Sequence, residues 1–505
     1  MHIIDVNTSF GKAVDPDPRY SLETLRTELD QHQVACALSF SRRGVAYNYH
    51  AGNMETLAAH RQIPWIIPVA TLDPRDALGA NNTEWKRCAE QGIRAVRFFP
   101  EEQGWSLTSA QFERILQNMR GSGACAMFSA WDGNRWQTPR QIAQISASAG
   151  VTVILLDTHY SNIQEVIAVM QKYPHIYAET NLLATVGSVD AMVREVGAGR
   201  LLYGSGAPSR PMQKALNEVL EADITGAQKA AILGENAQRL LGIPAQVLVG
   251  RPQANDLSPK GFGNQEIVDV HSHLGFWGFC IPVEDYDPAG MLSRMKRFGI
   301  TRSVLSSYES MRYDLQAGNR AIAAAIQGHP ELLGYVEVDP HHLEMSCAEM
   351  DRYYAMPNFG GAEIELTHVP CPTGSPKVQA LMAEIARRGK PVLFMPHSAA
   401  DAGAERELGR QNPGLTILHA HAFDRDWAKV VADTPNICVE FCYSRPSHHQ
   451  LRDAIDILGP ERVLFGSDQT LLSVGAAIGH YLDANMTPEE RRLVLCDNAR
   501  RIFKL

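Results

Sequence analysis

The chain has 505 residues, a formal net charge of −9 at pH 7, and 45% hydrophobic residues. This length exceeds what one hydrophobic core usually organises, so we expect two domains of an ordinary globular protein. The modest negative charge, without any basic block, argues against nucleic acid as a partner. No apolar run is long enough to span a bilayer, and the nine cysteines form no CxxC pair. These features favour a reduced, cytoplasmic setting without a membrane partner.

Segments of the first half of the chain recur in the second half. The matching pairs are residues 3–11 with 267–275, 174–179 with 435–440, 202–206 with 464–468, and 235–239 with 497–501. Because the offset stays nearly constant, we interpret the chain as a tandem duplication. Residues 1–243 and 266–505 are the two predicted copies. The stretch 244–265, rich in Pro, Gly, Asn and Gln, is the predicted linker.

The second copy shows a regular alternation of apolar and amphipathic segments. Short β-rich runs occur at 267–273, 301–308, 332–338, 361–366, 391–397, 415–421, 436–442 and 462–468, with helical patterns such as 376–388 and 427–433 between them. This alternation predicts a parallel sheet covered by helices. Eight such units favour a closed barrel over an open doubly wound sheet. The predicted fold is therefore α/β, with two tandem TIM-like (β/α)8 barrels.

Polar residues of one kind follow the predicted strands of the second copy. His271 and His273 end its first strand, and side chains two apart on a strand point the same way. Other strand ends carry His and carboxylate residues, namely Glu365, His397, His419, His421 and Asp468. In a parallel barrel these ends meet on the face that carries the chemistry. The pattern predicts a metal centre, for which imidazole and carboxylate donors suit zinc.

The motifs of the second copy resemble those of the amidohydrolase superfamily, in its amidohydrolase-related branch of hydrolases and decarboxylases. They are Asp-Val-His-Ser-His at 269–273, Pro-Val-Leu-Phe-Met-Pro-His at 391–397, Leu-Thr-Ile-Leu-His-Ala-His at 415–421 and Val-Leu-Phe-Gly-Ser-Asp at 463–468. The resemblance implies one or two divalent ions, zinc first, with manganese or iron as alternatives. The implied metal ligands are His271, His273, His397, His421 and Asp468, and Asp468 would also shuttle protons.

Two positions depart from the family pattern or leave a choice open. Many relatives carry a lysine on the fourth strand, where this chain has Glu365, which could supply a bridging carboxylate between two ions. Glu363 shares its strand face, so the ligand could lie two residues earlier. On the sixth strand His419 and His421 also share a face, and His421 stands where the family histidine falls. His419 then becomes a supporting residue behind the ligands.

The first copy resembles the family only as a degenerate version. The residues at its matching positions are Asn7, Ser9, Arg97, Trp131, Asp157 and Gly206. This set holds no cluster of His and carboxylate for a divalent ion. We therefore expect the first copy to be a structural partner that packs on the second, ahead of a separate ligand site using Arg97 and His159. Glu440 recurs there as Glu179, which favours a structural role for both.

Loops after the strands supply the candidates for substrate binding, which are Trp277, Tyr308, Arg312 and Arg445. An arginine in such a place often pairs with a carboxylate. We therefore expect a metal-dependent hydrolase that activates water to cleave an amide, lactone or ester bond of a small carboxylated molecule. The alternative is a metal-dependent non-oxidative decarboxylase, and a less favoured one is a non-enzymatic binding protein.

Overall fold

The computed structural model describes residues 1–11, 18–75, 81–131, 137–278, 285–396, 398, 401–421 and 425–505. They form two compact units, the first within residues 1–259 and the second within residues 260–505. The stretch predicted as a linker is divided between them. Its first part packs into the first unit, where Leu248 is buried and the Ala254 N–H donates to the Met1 carbonyl at 2.8 Å.

The first unit is built on parallel strands in chain order. They are β1 (Ile3–Phe10), β2 (Val34–Ser41), β3 (Ile66–Pro68), β4 (Ala70–Thr71), β5 (Ala95–Arg97), β6 (Cys125–Ser129), β7 (Thr152–Leu156), β8 (Ile176–Glu179) and β9 (Leu201–Leu202). β1 to β3 form one sheet and β4 to β9 another. One residue, Val69, separates the two sheets. The segment after β9 returns to β1, since the Val6 N–H donates to Tyr203 O at 3.0 Å and the Gly206 N–H to Asn7 O at 2.8 Å.

Helices separate the strands of the first unit. They are α1 (Leu22–Gln31), α2 (Arg43–Ala46), α3 (Tyr49–Gln62), α4 (Asn81–Glu90), α5 (Pro100–Gln103), α6 (Ala110–Met119), α7 (Thr138–Ala149), α8 (Ile163–Lys172), α9 (Ser188–Val196), α10 (Met212–Glu221), α11 (Gly226–Ala230) and α12 (Asn236–Leu241). Ser21, Asn48 and Ser109 fix the starts of α1, α3 and α6, because each side chain accepts a backbone N–H of the first turn.

The second unit repeats this plan with one continuous parallel sheet. Its strands, in chain order across the sheet, are β10 (Ile267–Leu274), β11 (Ile300–Ser307), β12 (Leu332–Glu337), β13 (Phe359–Glu365), β14 (Val392–Met395), β15 (Ile417–His419) and β16 (Ile437–Val439). Residues 463–469 contact both edge strands. The Leu464 N–H donates to Val439 O at 2.8 Å, and the Val270 N–H donates to Phe465 O at 2.9 Å.

The helices of the second unit are α13 (Pro288–Phe298), α14 (Tyr308–Arg312), α15 (Leu315–Ala325), α16 (Leu343–Tyr353), α17 (Pro376–Arg388), α18 (Ala402–Gln411), α19 (Arg425–Val431), α20 (Gln450–Leu458), α21 (Val474–Leu482), α22 (Pro488–Arg492) and α23 (Asn498–Phe503). α14 was not expected, because Tyr308 and Arg312 were assigned to a loop. It forms because the Ser307 hydroxyl accepts the Glu309 N–H at 3.1 Å and starts a helical turn.

The predicted α/β class with parallel strands is confirmed, and the arrangement is consistent with a TIM-like fold. The strands are buried on both sides, as a parallel sheet between side-chain layers requires; β1 and β10 have no exposed residue. None of the helices in the part of the chain that the structure describes is long and apolar enough to cross a membrane.

Candidate metal centre

The two histidines that end β10 face each other inside the second unit. His271 and His273 are buried, and their Nε2 atoms lie 3.0 Å apart. His271 Nδ1 lies 2.9 Å from Glu440 Oε1, and His273 Nδ1 lies 2.7 Å from the Ser306 hydroxyl. A carboxylate only accepts, so Nδ1 of His271 carries a proton and its Nε2 is the atom left for a ligand. The predicted convergence of the pair is therefore present.

The surroundings shift the pKa values of His271 and His273 in opposite directions. Burial alone would lower the pKa of His271, but the surrounding carboxylates, with Glu440 first, outweigh burial and raise that pKa to about 9. Burial and then the positive charge of His271 hold the pKa of His273 well below its ordinary value. In the absence of a metal ion, a proton on His271 Nε2 can be donated to His273 Nε2, and a bound ion would take the place of that proton. A cation is thus favoured where the two rings meet.

Asp468 completes this cluster from the segment after the last strand. Its Oδ1 lies 3.4 Å from His273 Nε2 and accepts the Tyr308 hydroxyl at 3.4 Å. Burial raises the pKa of Asp468 to about 7, against the lowering effect of His271. Its backbone adopts a left-handed φ of 53°, which is strained for a residue with a side chain. The fold holds a carboxylate here at a conformational cost, as functional sites often do.

His421 joins the cluster from the turn after β15. Its ring stacks on that of His271, with centroids 5.0 Å apart and planes at 13°. Its Nε2 lies 3.8 Å from Asp468 Oδ2 and has no hydrogen-bond partner among the described residues. Burial and then the charge on His271 lower the pKa of His421 to about 3. A buried, unprotonated imidazole nitrogen without a donor partner is what a metal ligand offers.

The sequence predicts that His419 and His421 share one face of a strand. In the structure the two side chains have different surroundings. β15 ends at His419, whose Nδ1 lies 2.9 Å from Glu405 of α18, while its ring packs on Trp427 at 4.2 Å. His421 has a left-handed φ of 57°, so the two-residue period of a strand does not extend to it. His421 therefore belongs to the cluster, and His419 packs against helices.

The donor set fits a divalent transition-metal ion. Donor atoms of His271, His273 and Asp468 lie within 4.8 Å of one another, and a second, overlapping group adds His421, Glu440 and Cys442 around His271. Imidazole nitrogens with one carboxylate oxygen are the common ligands of zinc and of neighbouring metals. His397, the remaining predicted ligand, lies outside the described residues.

The predicted bridging carboxylate, Glu365, is engaged elsewhere. It accepts the backbone N–H of Thr367 at 2.8 Å and that of His368 at 2.7 Å, together with the Thr367 hydroxyl. Its Oε2 also lies 2.8 Å from His368 Nδ1. These contacts occupy both oxygens within the turn that follows β13.

Glu363, the alternative to Glu365, lies deeper on the same strand and opposite Glu337 of β12. Both side chains are buried, and the oxygens of Glu363 have no well-aligned hydrogen-bond partner among the described residues, although the Ser306 side chain lies near enough to lower the pKa of Glu363. Burial raises the pKa of Glu363 to about 7 and that of Glu337 well above its ordinary range. Of the two predicted carboxylates on β13, Glu363 is the one with oxygens left over.

Three of the predicted substrate-binding residues form one wall beside the cluster. The ring of Tyr308 lies 4.8 Å from that of His273 and 4.8 Å from that of Trp277. The Arg312 guanidinium lies 5.1 Å from the Trp277 ring. Arg445, the fourth, is half-buried in the loop after β16. The same loop carries Tyr443, whose ring lies 6.2 Å from His421.

Three residues around the cluster were not predicted to act there. Glu440 was read as structural, yet it accepts the His421 N–H at 2.7 Å besides contacting His271. The Cys442 sulfur lies 3.1 Å from His271 Nδ1. His368 contacts Trp277, with ring centroids 5.5 Å apart. Two features of the sequence could have pointed to these residues. Glu440 recurs as Glu179 in the first half, and His368 follows Glu365, at the end of β13, by three residues.

The first unit keeps the same frame without the histidines. The Ser205 hydroxyl donates to Asp5 at 2.5 Å, as the Ser467 hydroxyl donates to Asp269 at 2.5 Å. Asn7 stands where His271 does, and its Nδ2 donates to Glu179 Oε1 at 3.0 Å. The structure therefore brings the polar positions of the first unit together as it does those of the second.

A cationic side chain lies at the centre of this frame. The Arg97 guanidinium donates to Asn7 Oδ1 and lies 3.6 Å from Asp157 Oδ2. It packs over the rings of Phe40 and Phe99, 5.4 and 5.2 Å from their centroids. Asn7 and Asp157 are the counterparts of His271 and His421. The first unit thus places a cation of its own chain among these counterparts.

The other first-unit positions carry small or aromatic groups. Gly206, the counterpart of Asp468, has a left-handed φ of 75°, a conformation that glycine adopts without strain. Ser9, the counterpart of His273, is buried. The Trp131 ring lies 4.3 Å from that of His159. Ser9, Gly206 and Trp131 therefore bring no imidazole or carboxylate to the positions that hold His273, Asp468 and His397 in the second copy.

Solved structures similar to this chain each match about half of it. A 5-carboxyvanillate decarboxylase from Sphingomonas paucimobilis is 15% identical, with 48% of this chain and 99% of that chain covered at a TM-score of 0.40. One from Novosphingobium aromaticivorans, complexed with manganese, is 15% identical, with 50% and 100% covered at 0.38. A proposed 2-pyrone-4,6-dicarboxylic acid hydrolase from Pseudomonas putida is 20% identical, with 48% and 98% covered at 0.39.

A search of curated proteins finds no match to the chain. The family model described as Amidohydrolase matches residues 15–243 and 268–505, which is most of the chain. This match confirms the resemblance that the motifs of the second half indicated. The match also extends to the first half, where other residues stand at the positions of the predicted metal-binding histidines. The chain belongs to the amidohydrolase family.

Proposed function

We propose that the second unit is a metal-dependent hydrolase that acts on a carbonyl group of a small carboxylated molecule. The observation that supports it most is the meeting of His271 Nε2, His273 Nε2 and Asp468 beneath a wall that contains Arg312. His271, His273 and Asp468 would hold the ion, with His421 and His397 as further ligands. Zinc is the first candidate and manganese the alternative.

A bound divalent ion would supply Lewis-acid activation of a carbonyl oxygen or of water. The chain supplies the proton handling. Asp468 Oδ1 would take a proton from water and return it to the leaving group. The Tyr308 hydroxyl, which donates to Oδ1 at 3.4 Å, orients that carboxylate. Arg312 would pair with the substrate carboxylate, and Trp277 would cover one side and exclude water.

A second candidate reaction is non-oxidative decarboxylation of a similar substrate. The observation that keeps it open is the engagement of Glu365 by Thr367 and His368, because a centre without Glu365 as a bridge would hold one ion. A centre for one ion suits either reaction. Arg312 would then hold a carboxylate near Asp468, which could donate the proton that replaces carbon dioxide.

The finer fold that accompanies this proposal is two tandem (β/α)8 barrels, in residues 1–243 and 266–505. The hydrogen bonds of residues 203–207 to β1, and of residues 463–469 to β10 and β16, support closure of each sheet on itself. In this proposal the first barrel is a structural partner. Arg97 supports that role, because a guanidinium already lies among the counterparts of the metal ligands.

A screen of the metal-loaded chain tests the proposed function. Esters, lactones, amides and carboxylic acids of small carboxylated molecules would be incubated with the zinc or manganese form. Mass spectrometry reports hydrolysis, and release of carbon dioxide reports decarboxylation. Hydrolysis that disappears in His273→Ala supports the first candidate. Carbon dioxide release that disappears in the same variant supports the second and contradicts the first, and no turnover of any compound contradicts both.

Metal content should depend on the second unit alone. We expect His273→Ala to lower the bound metal from about one ion per chain to a small fraction of that, since it removes one of the few nitrogen donors. Ser9→Ala, at the matching position of the first unit, should change nothing. Elemental analysis after dialysis measures both variants. Retention of metal in His273→Ala, or its loss in Ser9→Ala, would contradict this placement.

A further inference from the structure

His368 lies at the edge of the candidate metal centre and is held by a buried glutamate. It follows β13 in a turn, with its Nδ1 2.8 Å from Glu365 Oε2. The His368 side chain is 31% exposed, while that of Glu365 is 0% exposed. Its ring packs edge-on against Trp277, with centroids 5.5 Å apart. We propose that His368 contacts the substrate through Nε2 and that Glu365 is its positioning residue. The class of substrate in this proposal rests on the proposed function.

The hydrogen bonds of Glu365 fix which nitrogen of His368 carries the proton. Two backbone N–H groups, from Thr367 and His368, donate to the two oxygens of Glu365 at 2.8 and 2.7 Å. The carboxylate is therefore an acceptor in these contacts, so Nδ1 of His368 must be the donor to it whenever the ring carries a single proton. Nε2 then carries the lone pair, on a ring that is partly open to solvent.

The first unit provides an internal comparison for this pair. Arg97 is the counterpart of Glu365, and the chain then continues through Phe98 and Phe99 into α5, which begins at Pro100. The positions of Glu365 and His368 are thus taken by Arg97 and Pro100, and a short helix replaces the turn that follows β13. Burying a carboxylate is costly unless it is well hydrogen-bonded. The pair of Glu365 and His368 therefore has no counterpart at the matching positions of the first unit, which fits a role in the chemistry of the second unit.

The location of the ring defines the group that it would meet. A neutral Nε2 accepts a hydrogen bond, so its partner on the substrate is a hydroxyl or an N–H group. Arg312 also contacts Trp277, with its guanidinium 5.1 Å from that ring, and would pair with a carboxylate. The inferred ligand is therefore a small carboxylated molecule. Its carboxylate would pair with Arg312, a hydroxyl or N–H group would donate to His368, and a flat or apolar part would lie against Trp277.

A matched pair of probes tests this contact without any turnover. Mandelate carries a carboxylate, a ring and a hydroxyl, and phenylacetate lacks only the hydroxyl. Isothermal titration calorimetry on the metal-loaded full chain should show mandelate binding about 3- to 10-fold more tightly, as one neutral hydrogen bond allows. The preference should vanish in His368→Ala and weaken in Glu365→Gln. His342→Ala, at a surface histidine of the same unit that is 63% exposed, should preserve it.

Two further measurements separate positioning from a merely structural role. Long-range proton–nitrogen correlation spectra should show the His368 ring, identified by its loss in His368→Ala, with the proton on Nδ1. Glu365→Gln should change that pattern while bound metal stays as in the wild type. A proton on Nε2, equal binding of the two probes, binding of neither, or a preference that survives in His368→Ala would each overturn the inference. A chain that prefers mandelate but turns over no screened compound would contradict the proposed function alone.

Discussion

Asp468→Asn is expected to lower kcat about 10²- to 10⁴-fold, because general-base catalysis typically contributes that much. Asparagine keeps the shape and one weak ligand oxygen, but it cannot accept the proton that Asp468 Oδ1 is placed to take. Most of the metal should remain, held by His271 and His273 and by the nearby His421. Steady-state kinetics on a substrate from the screen and elemental analysis of the same preparation measure the two effects separately.

Asp351→Asn is a suitable control for this variant, because Asp351 is an exposed carboxylate of the same unit. Its kcat should match that of the wild type. Near-normal turnover of Asp468→Asn with metal bound would show that another group moves the proton. His419 contacts Glu405 of α18 and lies against Trp427, so it is not placed to replace Asp468. His368 would then be the group to examine.

Arg97→Met is expected to destabilise the first unit by about 1.5–3 kcal/mol, because it removes a charged hydrogen bond to Asn7 and the partner of the half-buried Asp157. The side chains of Arg97 and Asp157 are 13% and 14% exposed, so little water could replace the guanidinium. Methionine fills much of the same space between Phe40 and Phe99 but leaves Asp157 without its partner. Hydrogen exchange of the β1 and β5 amides under native conditions would report the loss in this unit.

The double variant Arg97→Met with Asp157→Asn tests the cause of that loss. If an uncompensated carboxylate is responsible, the double variant should recover a large part of the stability. Metal content should be the same in all three proteins, because the donors lie in the second unit. If Arg97→Met lowered the free energy of unfolding by less than about 1 kcal/mol, the pair of Arg97 and Asp157 would contribute no more than a surface ion pair. That result would contradict a stabilising role for Arg97 in the first unit.

Strand positions could be predicted from the sequence because hydrophobic runs decide them. The predicted run at 301–308 became β11 at Ile300–Ser307, and the run at 361–366 became the end of β13 at Phe359–Glu365. His271 and His273 converge because they lie within a regular strand, where the two-residue period holds. These predictions depend on repeated patterns over many residues.

The departures at the candidate site lie where a strand ends and a turn begins. His421 leaves the face of His419 because its backbone has a left-handed φ of 57°, which no side-chain pattern encodes. Glu365 turns to the backbone of Thr367 and His368 because those N–H groups are close enough to bond. The sequence shows which residue types are available after a strand, but the hydrogen bonds of each turn decide where they point.

The guanidinium at the centre of the first unit has a consequence for how the protein is made in the cell. A centre that depends on a divalent ion is finished only when the ion arrives, and chelation can reverse it. Arg97 is translated with the chain, so the charge that balances Asp157 is present from synthesis onward. The first unit can therefore complete its folding without a divalent ion, and any dependence of folding on metal supply would be confined to the proposed centre of the second unit.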